Sequence, residues 1–157
     1  MVDFSERLND FILEKDFTSR SLAAAIGVSK PTVNDWRRGK YQTSLSVALK
    51  LADIFCCSLD YLMARSDSDI DYTPQSCPPF YLRFRAVLAE CGISTYRIQT
   101  ETSIKGEHFN KWKKGADPLM PTLVTVADYL KVSLDCLVGR DLSPITPLKQ
   151  RSGGRST

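Results

Sequence analysis

The run Ser29-Lys30-Pro31-Thr32-Val33-Asn34-Asp35-Trp36-Arg37-Arg38-Gly39 concentrates short polar and cationic side chains. A second run does so again: Lys105-Gly106-Glu107-His108-Phe109-Asn110-Lys111-Trp112-Lys113-Lys114-Gly115. Each places an Asn two residues before a Trp, then two cations and a Gly. These side chains suit hydrogen-bond recognition better than bond making. Lys30 can donate to guanine O6 and N7, Asn34 can pair bidentately with adenine, and Asp35 can accept from cytosine N4. Taken alone, exposed Lys, Asn and Arg on a short helix also describe an ordinary solvated face. The Trp residues could stack on bases, but their three-residue spacing from Val33 and Phe109 predicts core packing.

Other chemistries find little support. No nucleophile–base pair, carboxylate pair or phosphate-cradling Gly loop is visible, so no enzyme is expected. The five Cys (56, 57, 77, 91 and 136) form no C-x-x-C pair, which predicts reduced, mostly buried thiols. One His, with no clustered Cys, makes no zinc site of usual spacing, so no metal, cofactor or small-molecule ligand is expected. For His108 the expected role is a solvated or phosphate-contacting side chain, not a catalytic one. No apolar run approaches the roughly 18 residues of a membrane span, and no charged-then-apolar leader opens the chain. A cytoplasmic location is expected. Residues 1–72 carry nine Lys/Arg against eleven Asp/Glu, and residues 73–157 carry twelve against seven. The net charge of +3 argues weakly by itself. Local clustering is the better test.

Helices must position these side chains. Phe4, Leu8, Phe11 and Ile12 fall on one helical face, and Phe80, Phe84, Val87 and Leu88 repeat the spacing. Thr18 and Ser94 are N-caps for a second helix, whose inner face carries Leu22 and Ile26, or Ile98 and Thr102. Gly27 closes it in the first copy, where a left-handed residue is expected. Ser29 caps a third helix, Pro31 is tolerated in its first turn, and Gly39 or Gly115 ends it. A fourth carries Leu45, Ala48, Leu49, Ala52 and Phe55, or Leu123, Val124, Ala127 and Leu130. A fifth is capped by Ser58 or Ser133 and buries Leu59 and Leu62, or Leu134 and Leu137. No segment alternates as a strand does, so the expected class is all-α.

The copies are related along their length. Leu51-Ala52-Asp53 and Ser58-Leu59-Asp60-Tyr61-Leu62 return as Val126-Ala127-Asp128 and Ser133-Leu134-Asp135-Cys136-Leu137. The offset is 76 residues at the Trp and 75 afterwards. A repeat this long is a duplicated domain, since solenoid and propeller periods are shorter. The expected organisation is a first domain at 1–66, a Ser-, Asp- and Pro-rich linker at 67–79, a second domain at 80–142, and a disordered basic tail at 143–157.

Leu22-Ala23-x-x-x-Gly27-Val28-Ser29-x-x-Thr32-Val33-x-x-Trp36-x-x-Gly39 resembles the Cro/C1-type (XRE-family) helix-turn-helix signature. Leu49-x-Leu51-Ala52-Asp53 with Ser58-Leu59-Asp60-Tyr61-Leu62 resembles the last two helices of that domain. The likeness covers residues 4–65 well and 80–140 mainly through their similarity to the first copy. It implies two tandem five-helix lambda-repressor-like domains whose third helices enter the major groove of double-stranded DNA. It implies base contacts by Ser29, Lys30, Pro31, Thr32, Asn34 and Asp35, and phosphate contacts by Thr18, Ser19, Arg38 and Lys40. In the second copy Lys105, His108, Asn110 and Lys111 take the base-facing role and Lys114 the phosphate-facing one. There Ser103 stands at the turn position, Gln99 replaces small Ala23, and Gly106 and Glu107 occupy base-facing places. A Glu in a phosphate-lined groove is a cost unless it meets cytosine N4.

The function implied is a bacterial or phage transcriptional regulator, a repressor, with no catalysis. The alternative is a protein-interaction module such as an antitoxin or antirepressor, with the second domain on a partner protein. A homodimer is a further partner left open. Helix-turn-helix dimers meet half-sites about 34 Å apart. A linker of about 14 residues reaches roughly 45 Å when extended, so a covalent second reader is within range. Too few residues follow for a self-cleaving domain, and regulation is expected through abundance, oligomerisation or a partner.

Overall fold

Polar side chains just ahead of apolar runs start most of the helices. In the computed structural model, which describes residues 3–68, 72–73, 76–143 and 145, Asp3 opens α1 (Phe4–Glu14) by accepting from the Glu6 amide at 3.1 Å. Bonds from the Ser5 hydroxyl and the Glu6 amide hold the Asp3 carboxyl below the usual carboxylate range. Thr18 and Ser21 form a reciprocal capping box at the start of α2 (Ser19–Ile26). Ser29 caps α3 (Lys30–Arg37), with Pro31 in its first turn. After α4 (Leu45–Phe55), Ser58 caps the short α5 (Leu59–Leu62).

These helices form one compact unit, Met1–Gln75, and a second unit spans Ser76–Thr157. The second holds α6 (Phe80–Cys91), α7 (Thr95–Glu101), α8 (Gly106–Lys113), α9 (Met120–Leu130) and α10 (Leu134–Val138). Ser94 caps α7 and Ser133 caps α10. Among the described residues no strand occurs, and no helix is long and apolar enough to cross a membrane.

Each unit is centred on aromatic rings. In the first, Phe11 stacks on Phe55 with centroids 4.4 Å apart, and Tyr61 meets Phe11 edge-on. The Arg7 guanidinium lies 3.7 Å from the Tyr61 ring centroid, a cation–π contact in a largely dry setting. In the second, Phe84 is fully buried among Phe80, Phe109 and Trp112. Trp36 and Trp112 are both buried, which places them in the cores and not on a stacking surface.

The fourth helices depart from expectation in one detail. Leu51 is buried and Leu49 is half-exposed; likewise Val126 is buried and Val124 half-exposed. Both alternatives flank the same stripe, and the packing of α4 and α9 on their neighbours chooses between them. The linker also differs from a free tether. Arg7 donates to the Ser66 carbonyl and to Asp67, and the Tyr72 amide donates to the Cys56 carbonyl at 2.8 Å. At its other end, Pro78 packs against Gly139, where a Cβ would lie 2.7 Å from the Pro78 ring. Residues 69–71, 74–75, 144 and 146–157, which include most of the expected tail, lie outside the described residues.

Gly27 ends α2 at a φ of 80°, and no atom lies within 4 Å of where its Cβ would sit. A substitution there meets a backbone cost alone. Gly27→Ala is expected to destabilise the first unit by about 1–2 kcal/mol, the penalty of the left-handed region for an L-residue. Asn, which tolerates that region, should cost less. Urea denaturation of both variants checks this, and equal stability of Gly and Ala would refute it.

Candidate nucleic-acid interface

The left-handed turn at Gly27 redirects the chain, and α3 begins at Lys30 after the three residues that follow α2. Val33 and Trp36 bury one side of α3. The other side carries the candidates. Lys30 and Pro31 are exposed with Ser29 before them, while Thr32, Asn34 and Asp35 are half-exposed. Two candidate hydroxyls already have work at the cap. Ser29 Oγ accepts from the Thr32 amide at 3.3 Å and lies 2.8 Å from Thr32 Oγ1. Asp35 is engaged as well: Arg38 donates to its carboxylate at 2.6 Å. A cytosine amine would have to share that carboxylate with the guanidinium.

The phosphate-facing candidates separate. Arg38 and Lys40 are exposed beyond the end of α3. Thr18 is exposed, with its hydroxyl accepting from the Ser21 amide. Ser19 is the correction. Its side chain is buried, and its hydroxyl accepts from Arg37 Nη1 at 2.9 Å, so that hydroxyl is not presented outward.

Arg37 was not among the sequence candidates, and it organises the site from behind. Its Nε donates to Asn9 Oδ1 at 2.6 Å, and Asn9 Nδ2 donates back to the Arg37 carbonyl at 3.1 Å. With Ser19, this side chain ties α3 to both α1 and α2. The sequence signal was Asn9 beside the apolar stripe of α1, with a cation to match on α3. Arg37→Ala strands two polar partners and is expected to cost about 2–3 kcal/mol, since hydrogen bonds from a charged group are the stronger kind. Arg38→Ala, which loses an exposed ion pair, should stay within about 0.5 kcal/mol. Chemical denaturation of the pair distinguishes clamp from surface; equal losses would refute the distinction.

In the second unit the turn is built differently. No residue from Thr102 to Lys105 adopts a positive φ; instead α7 ends a residue early and Thr102 is extended. Thr102 Oγ1 donates to the Ile98 carbonyl at 2.6 Å and accepts from the Ile104 amide at 3.1 Å. A short hydroxyl thereby supplies locally what glycine supplies in the first unit. Gly106 and Gln99 are a matched exchange: a Cβ on residue 106 would sit 3.0 Å from Gln99 Oε1. Lys105, Asn110, Lys111 and Lys114 are exposed on or beside α8. His108 is half-buried and not freely exposed, because its Nδ1 accepts from the Lys105 amide at 3.2 Å across the first turn of α8. Among the described residues, no three His, Cys, Asp or Glu side chains gather as a metal set.

A helix-turn-helix family model matches residues 9–62. The matched stretch lies in the first unit and is similar to a Cro/C1-type helix-turn-helix. Domains of that family are DNA-binding regulatory domains, so the likeness suggests a DNA-binding transcription regulator. The match spans α2, α3 and α4 entirely and ends with α5. No curated protein matches the chain.

Proposed function

We propose that the chain is a sequence-specific DNA-binding repressor acting in the cytosol, with α3 as a major-groove reader and α8 as a second, unequal one. The observation that carries the reading is the α2–Gly27–α3 turn. It buries Val33 and Trp36 while leaving Lys30, Asn34 and Asp35 together on the opposite side. A helix of this width fits the major groove, where every base pair shows its own donor and acceptor pattern. Arg38 and Lys40 flank it as backbone contacts, which fix register and make affinity fall with salt. Repression needs nothing beyond occupancy of the site.

The second unit, on this reading, is a divergent copy. Its α8 offers Asn110 and Lys111 to bases, with Lys105 and Lys114 as cations around them. Binding by one unit makes the second encounter intramolecular, at an effective concentration near millimolar. The exposed residues of α3 and α8 differ, so the operator should be asymmetric or a direct repeat.

Selection of bound sequences from random DNA tests the reading. It should enrich a two-part site at moderate salt. Lys111→Ala with Lys114→Ala should erase only one part, and footprinting should show both parts protected by one chain. No enrichment by the wild type would overturn the proposal. The second reading, a protein-interaction module of antitoxin or antirepressor kind, is favoured by one feature alone: an open apolar cleft in the second unit.

A further inference from the structure

That cleft lies where α6 begins and α8 ends. It has a volume of about 390 Å³ and is lined by Phe80, Tyr81, Leu82, Trp112, Lys113 and the Gly115 turn, among others. The same place in the first unit is more crowded at its glycine. There a Cβ on Gly39 would lie 3.6 Å from the Ser5 hydroxyl, whereas at Gly115 nothing lies within 4 Å. Ser5 and Gly39 correspond to Tyr81 and Gly115 at the 76-residue offset. Leu82 stands 65% exposed at the rim.

The charges beside the cleft also differ between the units. Asn9 and Arg37, which bind each other in the first unit, correspond to Arg85 and Lys113 in the second. Two cations cannot make that bond. Both are exposed, and neither they nor Lys114 forms an ion pair with a described residue. Arg85 follows Tyr81 and Leu82 by four and three residues, on the same helical face. The cleft therefore asks for an apolar side chain bordered by carboxylates.

The first unit presents such a surface. Leu13, near the end of α1, is 76% exposed, the highest value among the exposed large apolar side chains. Asp10, Glu14 and Asp16 around it are exposed, with Lys15 the one cation among them. We propose that the cleft of one chain receives the Leu13 end of α1 from a second copy, a head-to-tail contact. Leu13 enters between Leu82 and Trp112, and the carboxylates of Asp10, Glu14 and Asp16 face Arg85 and Lys113. Such a contact uses different surfaces on the two copies, so it leaves one of each free and can continue into rings or chains. With one anchor and a small buried area it belongs to the weak class of interfaces. It does not depend on the proposed DNA reading, because the monomer keeps α3 free.

Sedimentation of the full chain over a concentration series tests it. The average mass should rise above 17.6 kDa with concentration and fall back with salt. Leu13→Glu and Leu82→Glu remove exposed side chains, so both variants should keep their helical circular dichroism. Each alone should stay monomeric, since each lacks one half of the contact. An equimolar mixture should form a complex of two chains and no larger, because one intact cleft and one intact Leu13 remain. A wild type monomeric up to about 1 mM, where a millimolar complex is half formed, would overturn the proposal. So would variants that still self-associate, or a mixture that stays monomeric. Arg85→Ala with Lys113→Ala separates the remaining occupant. Weakened self-association at unchanged DNA affinity supports the contact. A salt slope on DNA lower by about two, with self-association intact, would assign the two cations to phosphates instead.

Discussion

Replacing Lys30 and Asn34 together by Ala is expected to abolish selection at the part of the site that α3 reads while leaving a folded protein that still holds DNA. Each good contact to a base edge discriminates by about 1–3 kcal/mol, so losing two removes about 2–6 kcal/mol. At 1.4 kcal/mol per factor of ten, the preference for a selected site over a scrambled one falls by roughly 30-fold to 10⁴-fold. Non-specific affinity should fall by much less, because Arg38 and Lys40 remain and supply the salt-dependent part. Stability should change by no more than about 0.5 kcal/mol, since Lys30 is exposed and Asn34 half-exposed. Fluorescence anisotropy on selected and scrambled duplexes at two salt concentrations measures both quantities. If the double variant discriminates at that part of the site as strongly as the wild type, α3 is not the reader.

Arg140→Ala is expected to cost the second unit about 3–5 kcal/mol, the loss that follows when one partner of a buried ion pair is removed. Arg140 Nη1 donates to Asp135 Oδ1 at 2.8 Å, with side chains 0% and 4% exposed. Backbone bonds run alongside: the Arg140 and Asp141 amides both donate to the Asp135 carbonyl. The pair thus ties the start of α10 to the segment that follows its end. In the first unit Arg65 and Asp60 form the corresponding pair at 20% and 14% exposure. Water reaches that pair, so Arg65→Ala should cost less, about 1–2 kcal/mol. A double change, Asp135→Asn with Arg140→Met, should be milder than Arg140→Ala alone, because no charge is then left buried. Chemical denaturation followed through Trp112, in a Trp36→Phe background, reads the second unit by itself. A loss at Arg140 no larger than that at Arg65 would contradict the argument from burial.

Much of the fold was legible. Cap residues precede α2, α3, α5, α7 and α10 at Thr18, Ser29, Ser58, Ser94 and Ser133, because a short oxygen beside free amides is a local matter. The apolar stripes of α1 and α6 are equally local. The Asp60–Arg65 and Asp135–Arg140 pairs, each spaced by five, were not read from the sequence, and only burial reveals that one of them is sealed from water.

The candidate site was legible as residue types and not as availability. Arg37 and Arg38 are neighbours with the same chemistry. One faces Asn9 and Ser19 across the unit, and the other reaches outward to Asp35. Ser19 looked like a phosphate ligand at a helix start until Arg37 occupied its hydroxyl. The open cleft gave no warning, because it is lined from two segments, residues 79–82 and 112–116, thirty residues apart in the chain.

By itself, then, the sequence determined the helices, their caps and the buried stripes, all of which rest on interactions within a few residues. Only the tertiary structure decided which polar groups remain free to meet a partner. A side chain's partner comes from another helix, and periodicity says which face a residue occupies without saying what that face will touch.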